Sequence, residues 1–156
     1  MEQKTKVHAE DGGQELFITR EFDLPLHLLF KAYVEPRLVE QWMGTKVLKL
    51  DNKKHGSWRF QTTDEKGNIL FQAGGVIHDI VPNQRIIRTF QMEHAPFEAQ
   101  LEFMDFEELT GNTSKLTVQI VYRSVAVRDQ MLAMPFAYGI NMAHNRLQKI
   151  IEKLDP

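Results

Sequence analysis

From Glu15 to Phe22 apolar and polar positions alternate, with Leu16, Ile18 and Arg20 on one face, the period-two pattern of a half-buried strand. The period then changes. Leu26, Leu29, Phe30 and Tyr33 recur at helical spacing behind Pro25, whose missing N–H costs nothing in a first helical turn, and Asp23 is placed to cap free amides. Pro36 opens a second short helix carrying Leu38, Val39 and Trp42, and Gly44 is its stop signal. Alternation returns from Lys46 to Ser124, cut by turn signals at His55 and Gly56, Asp64 to Asn68, Pro82 and Asn83, Ala95 and Pro96, and Thr110 to Asn112. No helical segment intervenes, which predicts an antiparallel meander. Gly74 and Gly75 inside one long strand predict a bulge or a close backbone approach. Near the end the period becomes helical again: Phe136, Ile140, Ala143, Leu147, Ile150, Ile151 and Leu154 share a stripe, preceded by a helical turn before Pro135.

Together these elements predict an α+β domain over residues 14–156, with residues 1–13 as a flexible lead-in. One long helix must cover the whole sheet, so the sheet has to curl around it, and a curled sheet leaves a gap at one end. Bulky side chains either fill that gap or line it.

A run of residues also resembles a known family. Arg20 and Phe22, Pro25, Phe30 and Ala32, Pro36, Leu38, Trp42 to Gly44, Gly56 and Gly67 stand in its order and spacing. So do Gly75, Ile77, Asp79, Ile80, Pro82, Arg85, Thr113 and Gly139. The pattern is similar to that of the homologues of the activator of the heat-shock chaperone ATPase (C-terminal-domain-like), within the START-like or SRPBCC superfamily. The resemblance implies a helix-grip fold: a curled antiparallel sheet of about seven strands around a long C-terminal helix, with two short helices after the first strand. It also implies a cavity between sheet and helix, which in the superfamily takes lipids, sterols, polyketides or other apolar molecules. Two other activities come with it: a cyclase- or hydrolase-like enzyme using the same cavity, and a module that modulates a chaperone ATPase.

Composition narrows the chemistry. The net charge of −2 without a basic block argues against nucleic acid, and the absence of cysteine removes disulfides, thiol nucleophiles and cysteine metal sites. The N-terminus lacks the apolar core of a signal peptide and no apolar run matches a membrane span, so a cytoplasmic protein without membrane insertion is expected. No His-x-His, His-x-x-x-His or His-Glu pairing offers metal-ligand spacing, so no metal and no cofactor are expected. Ser57, Ser114 and Ser124 lack a nucleophile-elbow motif, His144 stands alone, and the acidic residues from Glu93 to Glu108 read as solvated strand ends. No catalytic set emerges.

The expected function is therefore binding of a small apolar or amphipathic molecule. Candidate lining residues are Trp58, Phe60, Phe90, Met92, Val118 and Tyr122 from strands, Trp42 from the second short helix, and Met134, Tyr138 and Met142 from the C-terminal helical region. Arg88 is the sharpest candidate, because it falls in register with Ile86, Phe90 and Met92 on the face that should be buried. There it needs either an anionic ligand group or an internal acid such as Glu102 or Asp105. Met104 and Phe106, read as outward-facing, are candidates for a homodimer surface, with a register-shifting bulge as the alternative.

Overall fold

In the computed structural model, which describes residues 4–154, the chain opens with a short strand, β1 (Lys6–His8), inside the segment expected to be a flexible lead-in. It pairs with β2 (Glu15–Phe22), Val7 opposite Ile18. A backbone ladder therefore holds Lys6–His8 of this segment, while residues 1–3 of the expected lead-in lie outside the described residues.

Two short helices follow, α1 (Leu26–Val34) and α2 (Pro36–Met43). Pro25 stands at the N-cap of α1, and no side chain caps that end. Asp23, the expected cap, instead donates its backbone N–H to the side-chain oxygen of Gln148 at 3.0 Å. Pro36 is the first residue of α2, and Gly44 ends it at φ 66°, a left-handed conformation open to glycine.

The strands β3 (Lys46–Leu50), β4 (Ser57–Thr63), β5 (Ile69–Val81), β6 (Arg85–Met92), β7 (Gln100–Thr110) and β8 (Thr113–Val121) run as an antiparallel meander. β2 pairs along β8, which gives one eight-stranded sheet in the order β1-β2-β8-β7-β6-β5-β4-β3. Lys46 and Lys49 are exposed on the edge strand β3, where charge blunts edge-to-edge pairing. Gly74 and Gly75 turn out to be a close approach. A Cβ on Gly75 would lie 1.9 Å from the Thr89 carbonyl oxygen, and the register shifts along β5 fall elsewhere, between Ile69 and Phe71 against β4 and between Ile77 and Asp79 against β6.

The chain continues through α3 (Val125–Ala133), capped by the Ser124 hydroxyl accepting from the Val127 N–H at 3.2 Å, to α4 (Phe136–Ile151). The backbone of α4 packs chiefly against α1, α2, α3 and β1 and stands off the central strands. The interior is accordingly divided. A large cluster joins β2, α1, β7, β8 and α4, and a smaller one of Val39, Trp58, Phe60, Ala73 and Ile77 sits under β4 and β5.

Met104 and Phe106 are 4% and 5% exposed and belong to the large cluster, so they do not mark a dimer surface. The inward set of β7 is Gln100, Glu102, Met104 and Phe106. Its two polar members disguise the face in the sequence.

Candidate functional site

Between the two apolar clusters lies a partly open cavity of about 260 Å³. Its sheet wall is built from alternate, same-face positions on neighbouring strands: Ile18 of β2, Phe60 of β4, Arg88, Phe90 and Met92 of β6, Gln100, Glu102 and Met104 of β7, and Val118 and Ile120 of β8. Tyr122 follows directly after β8. The helical walls are Tyr33 of α1, Val39, Trp42 and Met43 of α2, Met131 of α3, and Phe136, Ile140, Ala143 and His144 of α4. Trp42 is fixed there by its indole N–H, which donates to the Ala32 carbonyl at 2.8 Å.

Of the residues singled out from the sequence, Trp42, Phe60, Arg88, Phe90, Met92, Val118 and Tyr122 meet in this cavity. Trp58 stands behind its wall: the Arg88 guanidinium carbon lies 4.4 Å from the indole ring centroid, and Phe60 and Phe90 pack on the same indole. Met134, Tyr138 and Met142 do not reach it. They are 44%, 61% and 38% exposed, and Tyr138 and Met142 border a groove on the far side of α4. The reason is helical phase. At about 100° per residue, the face holding Phe136, Ile140, Ala143 and His144 turns Tyr138 and Met142 away, and Met134 precedes the helix.

The polar content of the cavity is concentrated at two places. At one, Arg88 lies directly across the β6–β7 ladder from Glu102, and its Nε donates to Glu102 Oε1 at 3.0 Å. Gln100 Nε2 donates to the other oxygen at 2.9 Å. Glu102 is thus a buried partner, 6% exposed, rather than one of a set of solvated strand ends. Of the two sequence-level alternatives for Arg88, it takes the internal acid. The terminal nitrogens of Arg88 make no hydrogen bond among the described residues. The Tyr122 hydroxyl beside this group is buried and has no hydrogen-bond partner among them either. Burial, reinforced by the negative charge of Glu102, raises the Tyr122 pKa well above the usual phenol value, so it stays protonated.

At the second place His144 is 1% exposed. Its Nδ1 lies 2.9 Å from the Thr5 hydroxyl, and the Tyr33 hydroxyl stands 3.5 Å from its Nε2. Burial, with the nearby positive charge of Arg20, pushes the imidazole down to about 3, so it is neutral at ordinary pH. Arg20 itself donates to Thr5 Oγ1 at 3.1 Å and Asn145 Oδ1 at 2.9 Å. Among the described residues no group of three or more His, Asp or Glu side chains is arranged to hold a metal ion.

A family model described as Activator of Hsp90 ATPase homolog 1-like protein matches residues 23–152, the stretch that builds the cavity from α1 to α4. The chain belongs to that family. Among solved structures, a Mycobacterium smegmatis protein superposes with a TM-score of 0.84 at 20% identity, covering 97% of this chain and 99% of that one. A Rhodobacter sphaeroides protein gives 0.83 at 19%, covering 96% and 100%. One from Arthrobacter aurescens gives 0.83 at 16%, covering 96% and 92%. These likenesses show a shared START-like fold. No curated protein matches the chain.

Within this member of the Activator of Hsp90 ATPase homolog 1-like family, several cavity residues escape sequence reasoning. His144 reads as isolated along the chain, because its neighbours Thr5 and Tyr33 come from remote elements. Gln100 looks like a surface residue, and Glu102 reads both as a solvated strand end and as a candidate internal partner of Arg88. A signal does exist for them: both fall in register with Met104 and Phe106, and four inward positions in a row define a buried face even when two are polar.

Proposed function

We propose that the protein binds a small, largely apolar molecule in the cavity between sheet and α4. The observation that carries this reading is the unfilled space itself. Cores pack to crystal-like density, whereas about 260 Å³ here stays unfilled among largely apolar side chains; the cost of a fully closed void of that size, about 6 kcal/mol, is the upper bound for this partly open one. That is comparable to the whole stability of a domain. An occupant that fills the space removes the penalty, and the lining of methionine and aromatic side chains suits one of adaptable shape.

Size limits the class. An apolar cavity of ~150 Å³ accommodates benzene, so this one suits a molecule of one or two rings or a medium chain. A sterol or a two-chain lipid exceeds that volume and would have to protrude through the open side. Native mass spectrometry of the protein purified from cells tests the reading: a bound species of a few hundred daltons or less, lost on mild unfolding, is expected. A uniformly empty protein that also ignores added medium-chain ligands would end it.

A further inference from the structure

Given the cavity reading above, on which this rests, we infer that the site selects ligands bearing an uncharged carbonyl oxygen and discriminates against carboxylates and phosphates. The basis is the balance of donors and charges at the Arg88 end. Arg88 taken alone suggests an anion anchor. Its charge, however, is already matched by Glu102 at 3.0 Å, and both Glu102 oxygens are occupied, by Arg88 Nε and Gln100 Nε2. A ligand anion drawn to Arg88 would lie close to the Glu102 carboxylate inside an apolar enclosure, where like charges repel strongly. It would also surrender its hydration with no free counter-charge to replace it.

What this end holds in excess is groups with hydrogen bonds left to donate. The Tyr122 hydroxyl is buried in the wall without a partner, and the terminal Arg88 nitrogens are likewise unbonded among the described residues. Both groups are donors, since Tyr122 is held protonated and a guanidinium has no acceptor atom. For the buried Tyr122 hydroxyl the missing partner is costly, and a group of complementary polarity removes the cost. A carbonyl oxygen offers two lone pairs and no charge, and so matches the site on both counts. The rest of the cavity wall, with Phe90, Met92 and Met131 among it, demands an apolar body.

Chain-matched probes test this at neutral pH by calorimetry: 2-nonanone, nonanoate and the hydrocarbon n-butylbenzene as an apolar reference. The wild-type protein should bind the ketone at least tenfold more tightly than nonanoate. Tyr122→Phe should weaken the ketone about three- to tenfold and leave n-butylbenzene unchanged. The unliganded variant should melt no lower than wild type, since it loses only an unpaired hydroxyl. Glu102→Gln should invert the preference by freeing the Arg88 charge, so that nonanoate gains. Tighter nonanoate than ketone in the wild type, or a ketone affinity untouched by Tyr122→Phe, overturns the inference while leaving the cavity reading intact. Failure of all three probes, n-butylbenzene included, removes both.

Discussion

A histidine enclosed among aromatic rings carries a pH signature. His144 packs against Phe22 and Trp42, with ring centroids 5.5 and 6.4 Å away, and titrates at about 3 when folded against an ordinary imidazole value of 6.5. Between those values the unfolded chain holds the extra proton. The stabilisation from this group is therefore complete above neutral pH and is lost as pH falls through 6.5 towards 3, by up to about 1.4 kcal/mol per pH unit. Urea midpoints measured from pH 7 to pH 4.5 should fall for the wild type and flatten for His144→Gln. Parallel curves would show that His144 is not the source. None of this is legible in the sequence, because the environment of His144 is assembled from Thr5, Tyr33 and Arg20, all remote along the chain. Arg88 is legible because strand periodicity places it inward, and its partner Glu102 is among the acids within reach of that face.

At the level of elements, two glycines make opposite predictions. Gly75 faces the Thr89 carbonyl so closely that an added methyl would meet its oxygen at 1.9 Å, and that same oxygen accepts the Trp58 indole N–H at 3.1 Å. Gly75→Ala must push β5 from β6 and disturb the indole behind Arg88. A loss of about 3 kcal/mol in chemical denaturation is expected, the range of strained backbone and core disruptions. Gly139, by contrast, is an exposed position in α4 with nothing within 4 Å of an added Cβ. Gly139→Ala should raise stability by about 0.5–1 kcal/mol, from helix propensity alone. The close approach at Gly75 is foreseeable from a glycine pair inside a strand. The direction of Met134, Tyr138 and Met142 is not visible in residue type, which marks all three as bulky and apolar enough to line a cavity. Helical phase carries the missing information: Phe136, Ile140 and Ala143 fix the inward face and turn Tyr138 and Met142 outward.

For the molecule as a whole, cavity and stability are linked. Ala143 is a half-buried wall residue of α4, and Ala143→Phe should fill part of the space. The expected result is an unliganded Tm equal to or above wild type, together with loss of ligand response. In the wild type, 2-nonanone at ~100 times its Kd should add about 2.7 kcal/mol and raise Tm by several degrees. A variant that still shifts with ligand would place binding elsewhere. The architecture is readable because its parts carry local signals: two prolines and Gly44 mark the short helices, alternation marks the meander, and a helical stripe marks α4. The strand β1 escapes such a reading because a three-residue ladder has no periodicity to detect.

The β2–β8 ladder sets Glu15 opposite Val121 and Phe22 opposite Ser114, joining segments about a hundred positions apart. At synthesis rates of ~5–20 residues per second, β2 emerges seconds before the strand that completes it exists. Until then one long edge of β2 has no partner, since only the three residues of β1 lie along its other side. That half-apolar edge is carried through synthesis until β8 closes the ladder, an interval open to aggregation.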